Sequence, residues 1–179
     1  MNIFPQFKYY ERLKKINKIS QQLRNHYDTC LILAALVLDQ TNNYEYFCHK
    51  YKTSNRIKDR LNNIFINFEN LKNKNFYSEE NIKKIIYLSN KDHVKDLLLF
   101  SIFINNKINI LNIEKLINYV ATCEIPKFPI SGEYLKKHGY KSGQVLGKKL
   151  KSLEEKWIEN NFVIDKKTIE KSLGKVNEN

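Results

Sequence analysis

The side chains able to do chemistry are few and scattered, and their spacing argues first against catalysis. Phosphoryl and nucleotidyl transfer need carboxylates that hold magnesium against phosphate oxygens. The six aspartates, Asp28, Asp39, Asp59, Asp92, Asp96 and Asp165, include no Asp-x-Asp pair and none beside a glycine-rich loop. Asp92 and Asp96 stand one helical turn apart, but with Lys91 and Lys95 interleaved they read as a solvated helix face. His26, His49, His93 and His138 show no His-x-x-x-His or Cys/His ligand spacing. A Walker loop and a Gly-x-Ser-x-Gly nucleophile turn are both missing from the sequence. These patterns nominate no catalytic residue and no metal ligand.

The positive signal is a glycine-spaced basic segment. Gly139, Gly143 and Gly147 recur every four residues, flanked by Lys136, Lys137, Lys141, Lys148 and Lys149. A turn at Gly139 followed by a helix opening near Ser142 exposes backbone N–H groups at the positive end of a helix dipole. Glycine lets a phosphate approach such a backbone closely. The candidate phosphate-contacting set is therefore Ser131, Gly132, Lys136, Lys137, Gly139, Lys141, Ser142, Gly143, Lys148 and Lys149. Gly147, a turn inside the helix, reads instead as a helix-packing position. Most aromatics, such as Phe65, Phe68, Phe100, Phe103 and Trp157, fall on apolar faces and read as core. Tyr9, Tyr10, Tyr134 and Tyr140 lie near lysines and are weaker candidates for stacking on bases or sugars.

The elements that must position these residues are helices. Between Pro5 and Pro126 there is neither glycine nor proline, and apolar residues recur at three- and four-residue spacing. The spacing predicts helices over about 7–23, 28–38, 44–51, 54–71, 78–88, 92–104 and 113–123. Ser54 is the expected cap of a helix carrying Ile57, Leu61, Ile64, Phe68 and Leu71 on one face, and Ser78 caps another. Beyond Glu124 the texture changes. Pro126 and Pro129 make a connector, and Ser131 caps a short helix over about 132–137 that Gly139 ends. Ser142 is expected to cap a long helix carrying Leu146, Leu150, Leu153 and Trp157. Asp165 starts a last helix with Ile169 and Leu173. The expected class is all-α, with a body of about seven helices over 1–124 and a small helical tail over 125–179.

Composition bounds the function. The chain has 179 residues, with hydrophobic residues at 42% and aromatics at 12%, enough for a packed core and too much for global disorder. Its formal charge of +12 is the footprint expected of a polyanion binder, or else the lysine drift of an AT-rich genome, since only four of the 31 basic residues are arginine. Three scattered cysteines form neither a disulfide framework nor a zinc motif. The first six residues, Met1 to Gln6, lead into no signal-peptide apolar region, and the apolar runs 31–38 and 97–104 are far shorter than a bilayer span. A soluble, cytoplasmic chain with no membrane partner is expected.

The run Phe128-Pro129-Ile130-Ser131-Gly132, with Leu135, Gly139, Gly143, Leu146-Gly147 and Leu150 after it, resembles the C-terminal end of the class II tRNA nucleotidyltransferases, the CCA-adding enzyme and poly(A) polymerase family. Leu153, Trp157 and Phe162-Val163-Ile164-Asp165 continue the resemblance. Upstream, Lys52-Thr53-Ser54-Asn55 with Asp59-Arg60-Leu61 is similar to that family's short body motif, in which a Ser-Asn pair opens a helix. Tyr134 stands where the family commonly has an aspartate. The catalytic head, with its glycine-rich turn and Asp-x-Asp pair, and the nucleotide-selecting neck have no counterpart in these residues. The resemblance therefore implies a body and tail that hold the acceptor and T arms of tRNA. The chain itself would bind no cofactor, since magnesium, CTP and ATP would belong to a separately encoded head, and it would not be active alone. A truncated remnant fits the same pattern. The alternative expectation is a helical adaptor that binds protein and whose charge is compositional drift.

Overall fold

Capping side chains start most of the helices. In the computed structural model, which describes residues 7–173, Asp28 accepts the Leu31 amide at 3.0 Å to open α2 (Thr29–Val37). Ser54 does the same for α4 (Asn55–Ile66), Ser78 for α5 (Glu79–Leu88), Asn90 for α6 (Lys91–Ile104) and Asn109 for α7 (Ile110–Thr122). Each side-chain oxygen satisfies one of the orphan donors of a first turn. The preceding α3 (Asn43–Lys50) begins without such a bond. The class is all-α, with no strand among the described residues.

The segment expected as one amphipathic helix over 7–23 is built differently. It forms a 3-10 helix, Tyr10–Lys18, an extended Ile19, and then the short α1 (Gln21–Arg24) capped by Ser20. The cause is tertiary. Arg12 donates to the carbonyls of Ala35 and Leu38 at the end of α2, and Lys15 donates to that of Phe103 at the end of α6. Holding both cations on carbonyls of two other helices overrides the local α pattern. The helix expected over 54–71 also stops early, at Ile66. Asn67 turns back onto the carbonyl of Asn63, and Phe68 and Leu71 are buried from the turn and the 3-10 helix, Asn70–Lys72, that follow.

Two compact units divide the chain, Met1–Cys123 and Glu124–Asn179. In the first, α6 is apolar on nearly every side, from Leu97 to Phe103, because α2, α4, α5 and α7 all pack on it. One polar group inside this packing corrects the sequence expectation. Asp96, expected on a solvated face, is 8% exposed and takes a bidentate pair of bonds from Arg60 Nε and Nη2, both 2.8 Å. Arg60 also reaches Asp28, so a single guanidinium ties α2, α4 and α6 together. The Asp96 bonds raise the Arg60 pKa further, against the burial that opposes it. Burial pushes the Asp28 carboxyl up, but bonds from Arg60 and from the Leu31 amide outweigh it and hold the carboxyl below its ordinary value.

The second unit consists of α8 (Gly132–Lys137), α9 (Gln144–Glu159) and α10 (Lys166–Leu173). Its core is Ile130, Leu135 and Leu153, with Leu146, Leu150 and Ile169 packed against it. Trp157 lies between Phe128 and Phe162, with ring centroids 5.3 and 4.9 Å away. The N-terminal run 1–6 lies outside the described residues, as does the side chain of Leu173.

Candidate nucleic-acid interface

The glycine-spaced segment of the tail is a helix, a turn and a second helix. Ser131 opens α8 and its hydroxyl accepts the Tyr134 amide at 3.2 Å, so this oxygen is occupied as a cap. Gly132 sits in the first turn, where a Cβ would meet Leu146 Cδ2 at 3.6 Å, and so lines the packing against α9. The end of α8 is a paired C-cap. The Gly139 amide bonds the carbonyl of Lys136 and the Tyr140 amide that of Leu135, with Gly139 at φ 89°. That left-handed position costs glycine nothing.

Ser142 does not cap α9. Gly143 stands at the cap position with φ 134° and ψ −163°, a conformation open essentially to glycine alone. It carries no side chain to accept a bond. The amides of Gln144, Val145 and Leu146, which have no partner within the helix by its geometry, therefore begin at an exposed glycine. A Cβ on Gly143 would touch nothing within 4 Å, so the approach to this backbone is open. Gly147 corrects a second expectation. It too has nothing within 4 Å and is exposed, so it packs no helix and lies on the solvent side of α9.

The buried stripe of α9 runs through Leu146, Leu150, Leu153 and Trp157, so Gln144, Lys148 and Lys151 share the opposite, exposed face. Lys148 thus follows the helix opening by one turn on its solvent side, and Lys141 precedes it. Lys149 flanks the buried stripe and is only half-exposed. Lys136 pairs with Glu133 at 2.7 Å, while Lys137 is exposed on the last turn of α8. Of the ten candidate residues, Lys141, Ser142, Gly143 and Lys148 are exposed at the opening of α9. Ser131, Gly132 and Gly139 build the fold around it. Between residues 127 and 151 seven lysines meet one acid, Glu133. Tyr134 and Tyr140 pack against the tail core, and Tyr9 lies under the Arg12 guanidinium at 3.9 Å with its hydroxyl donating to Asp39.

Most arginines have structural work. Arg12 and Arg60 are bound as described, and Arg24 donates to the carbonyls of Ile19 and Asn17, which leaves Arg56 as the exposed one of the four. Available surface charge is thus mainly lysine, a point charge suited to phosphate and poorly suited to the bidentate reading of a base edge. The carboxylates do not fit a magnesium centre. Among the described residues no three His, Cys, Asp or Glu side chains converge, and Asp28 and Asp96 already hold Arg60.

One further surface escapes the sequence. Tyr46, Lys50, Tyr51 and Lys52 form an exposed group on α3 and the turn after it. In a chain with 11 tyrosines and 27 lysines such a run carries no signal until the helix face is known.

No match was found among curated proteins. A family model for tRNA nucleotidyltransferase domain 2 matches residues 21–173, which takes in α1 to α7 and the glycine-spaced tail. The chain belongs to the tRNA nucleotidyltransferase domain 2 family.

Proposed function

We propose that this chain is the tRNA-holding portion of a CCA-adding type nucleotidyltransferase, working with a catalytic head supplied from outside these 179 residues. The observation that carries the reading is the opening of α9. Gly143 leaves the first-turn amides without a capping side chain, at the positive end of the helix dipole, between Lys141 and Lys148. A backbone phosphate of the acceptor or T arm binds there, with the Ser142 hydroxyl beside it. The remaining lysines add sequence-independent attraction, and RNA shape supplies specificity. Magnesium, CTP and ATP are the head's ligands, in keeping with the absence of an Asp-x-Asp pair from this sequence. The work is cytoplasmic, and no helix among the described residues is long and apolar enough to cross a membrane.

The adaptor alternative has less support. Large exposed apolar side chains such as Ile66, Leu88, Leu111 and Val145 come one each from α4, α5, α7 and α9, so none of these four helices presents an exposed apolar stripe of its own. A salt titration of a tRNA minihelix against the purified chain tests the proposal. Affinity is expected to fall steeply and log-linearly with salt. Failure to bind the minihelix at low salt rejects it.

A further inference from the structure

The body carries a second surface whose chemistry differs from that of the tail. On α3 Tyr46 is 58% exposed, while its helix neighbours Tyr44, Phe47 and Cys48 are buried. Tyr51, at the end of the same helix, is 37% exposed and its ring leans on Phe47 at 4.8 Å. The Lys50 ammonium lies between the two tyrosines, 5.8 Å from one ring centroid and 5.5 Å from the other. Those distances fall within cation–π range, so the charge is held beside two ring faces. Residues 41–58 contain four basic side chains, Lys50, Lys52, Arg56 and Lys58, and one acid, Glu45.

The backbone supplies an independent observation. The turn after α3 is the same paired C-cap seen at the end of α8: the Lys52 amide bonds the carbonyl of His49 and the Thr53 amide that of Cys48. In the tail the left-handed position of this cap is filled by Gly139; here it is filled by Lys52, at φ 49°. A lysine gains nothing from that conformation, which strains any residue with a Cβ. Its side chain is exposed, one residue after Tyr51 in the chain.

We propose that Tyr46, Lys50, Tyr51 and Lys52 form a stacking site for an unpaired nucleotide of RNA. The Tyr46 ring takes a nucleobase on its face, and Lys50 and Lys52 take the flanking phosphates. Every base has a π face, so the site is tolerant of sequence. It rests on the RNA-holding reading and adds to it a preference for single-stranded segments, set by the body and separate from the phosphate site at Gly143.

The test compares a blunt RNA hairpin closed by a non-nucleotide linker, which has no unpaired base, with a short unstructured RNA oligonucleotide, measured by fluorescence anisotropy on the full chain. Tyr46→Ala is expected to weaken the oligonucleotide by about tenfold, the scale of one lost base–aromatic stack, and to leave the hairpin within about twofold. Tyr46→Phe, which keeps the ring face, restores binding. Lys52→Gly raises the thermal midpoint by relieving the turn, yet weakens the oligonucleotide and lowers its salt slope by about one. Equal oligonucleotide affinity for wild type and Tyr46→Ala overturns the stacking site while hairpin binding leaves the RNA-holding reading intact. A Lys52→Gly chain that is more stable and binds the oligonucleotide unchanged removes Lys52 from the site. A wild-type chain that binds neither RNA sinks both.

Discussion

Replacing Arg60 with methionine removes the one charge that joins α2, α4 and α6 while keeping a side chain of similar length. The carboxylate it abandons on Asp96 is only 11% exposed and loses both of its 2.8 Å bonds. Stranding one partner of a buried pair costs about 3–5 kcal/mol. Arg60 itself is 25% exposed, so water reaches part of the gap and the expected loss is nearer ~2–3 kcal/mol after discounting for that screening. Asp28 is 51% exposed, and Asp28→Asn keeps a good helix cap, so it should cost under ~1 kcal/mol. The double variant Arg60→Met/Asp96→Ala removes both charges and should recover most of the loss, giving a coupling energy of roughly 1.5–2 kcal/mol. Urea unfolding followed by far-UV circular dichroism on the wild type, Arg60→Met, Asp96→Ala, their double variant and Asp28→Asn reads this directly. If Arg60→Met proves no worse than Asp28→Asn, or the cycle couples by less than about 0.5 kcal/mol, the pair is solvated and the reasoning is wrong.

Acid should act on the same network. The Asp28 carboxyl is held below its ordinary value, so its contribution is complete above the ordinary carboxylate range, about pH 4. It is lost as pH falls through the lowered value, and Asp28→Asn should flatten the urea midpoint against pH in that window. Burial pushes the Cys30 thiol up to about 11, so at pH 8 only about one part in a thousand is thiolate. Alkylation of Cys30 should therefore track unfolding, and rapid labelling of the native chain would contradict its burial. Gly143→Ala meets no steric obstacle but forces alanine into a glycine conformation. It should destabilise the tail by about 1–3 kcal/mol and weaken minihelix binding, whereas Gly147→Ala, in an exposed helix turn, should stabilise slightly and leave binding unchanged. Equal minihelix affinities for the two variants would remove the α9 opening from the interface.

The all-α class and most element starts are legible in the order of the residues alone. Unbroken three- and four-residue apolar spacing leaves little but helix, and Asp28, Ser54, Ser78 and Ser131 announce their helices because a capping oxygen acts within three residues of itself. The tail was legible for the same reason. Its prolines, glycines and Leu-Leu-Trp stripe encode local geometry, and the family resemblance rests on those residues.

Wherever a long side chain reaches another element, the outcome depends on packing instead. Arg12 and Lys15 turn the first segment into a 3-10 helix by bonding carbonyls 23 to 88 residues away. Asp96 becomes a buried anchor because Arg60, 36 positions earlier in sequence, comes to it. Gly143, one residue past the expected cap, opens α9 because its backbone enters a region no other residue holds, and φ cannot be read from spacing. The aromatic and basic side chains around Tyr46 form one surface only once α3 has buried its other face against the core. Caps and periodicity are local interactions written in neighbouring letters; charge pairing and exposure depend on which helices meet, and that is fixed only when the core packs.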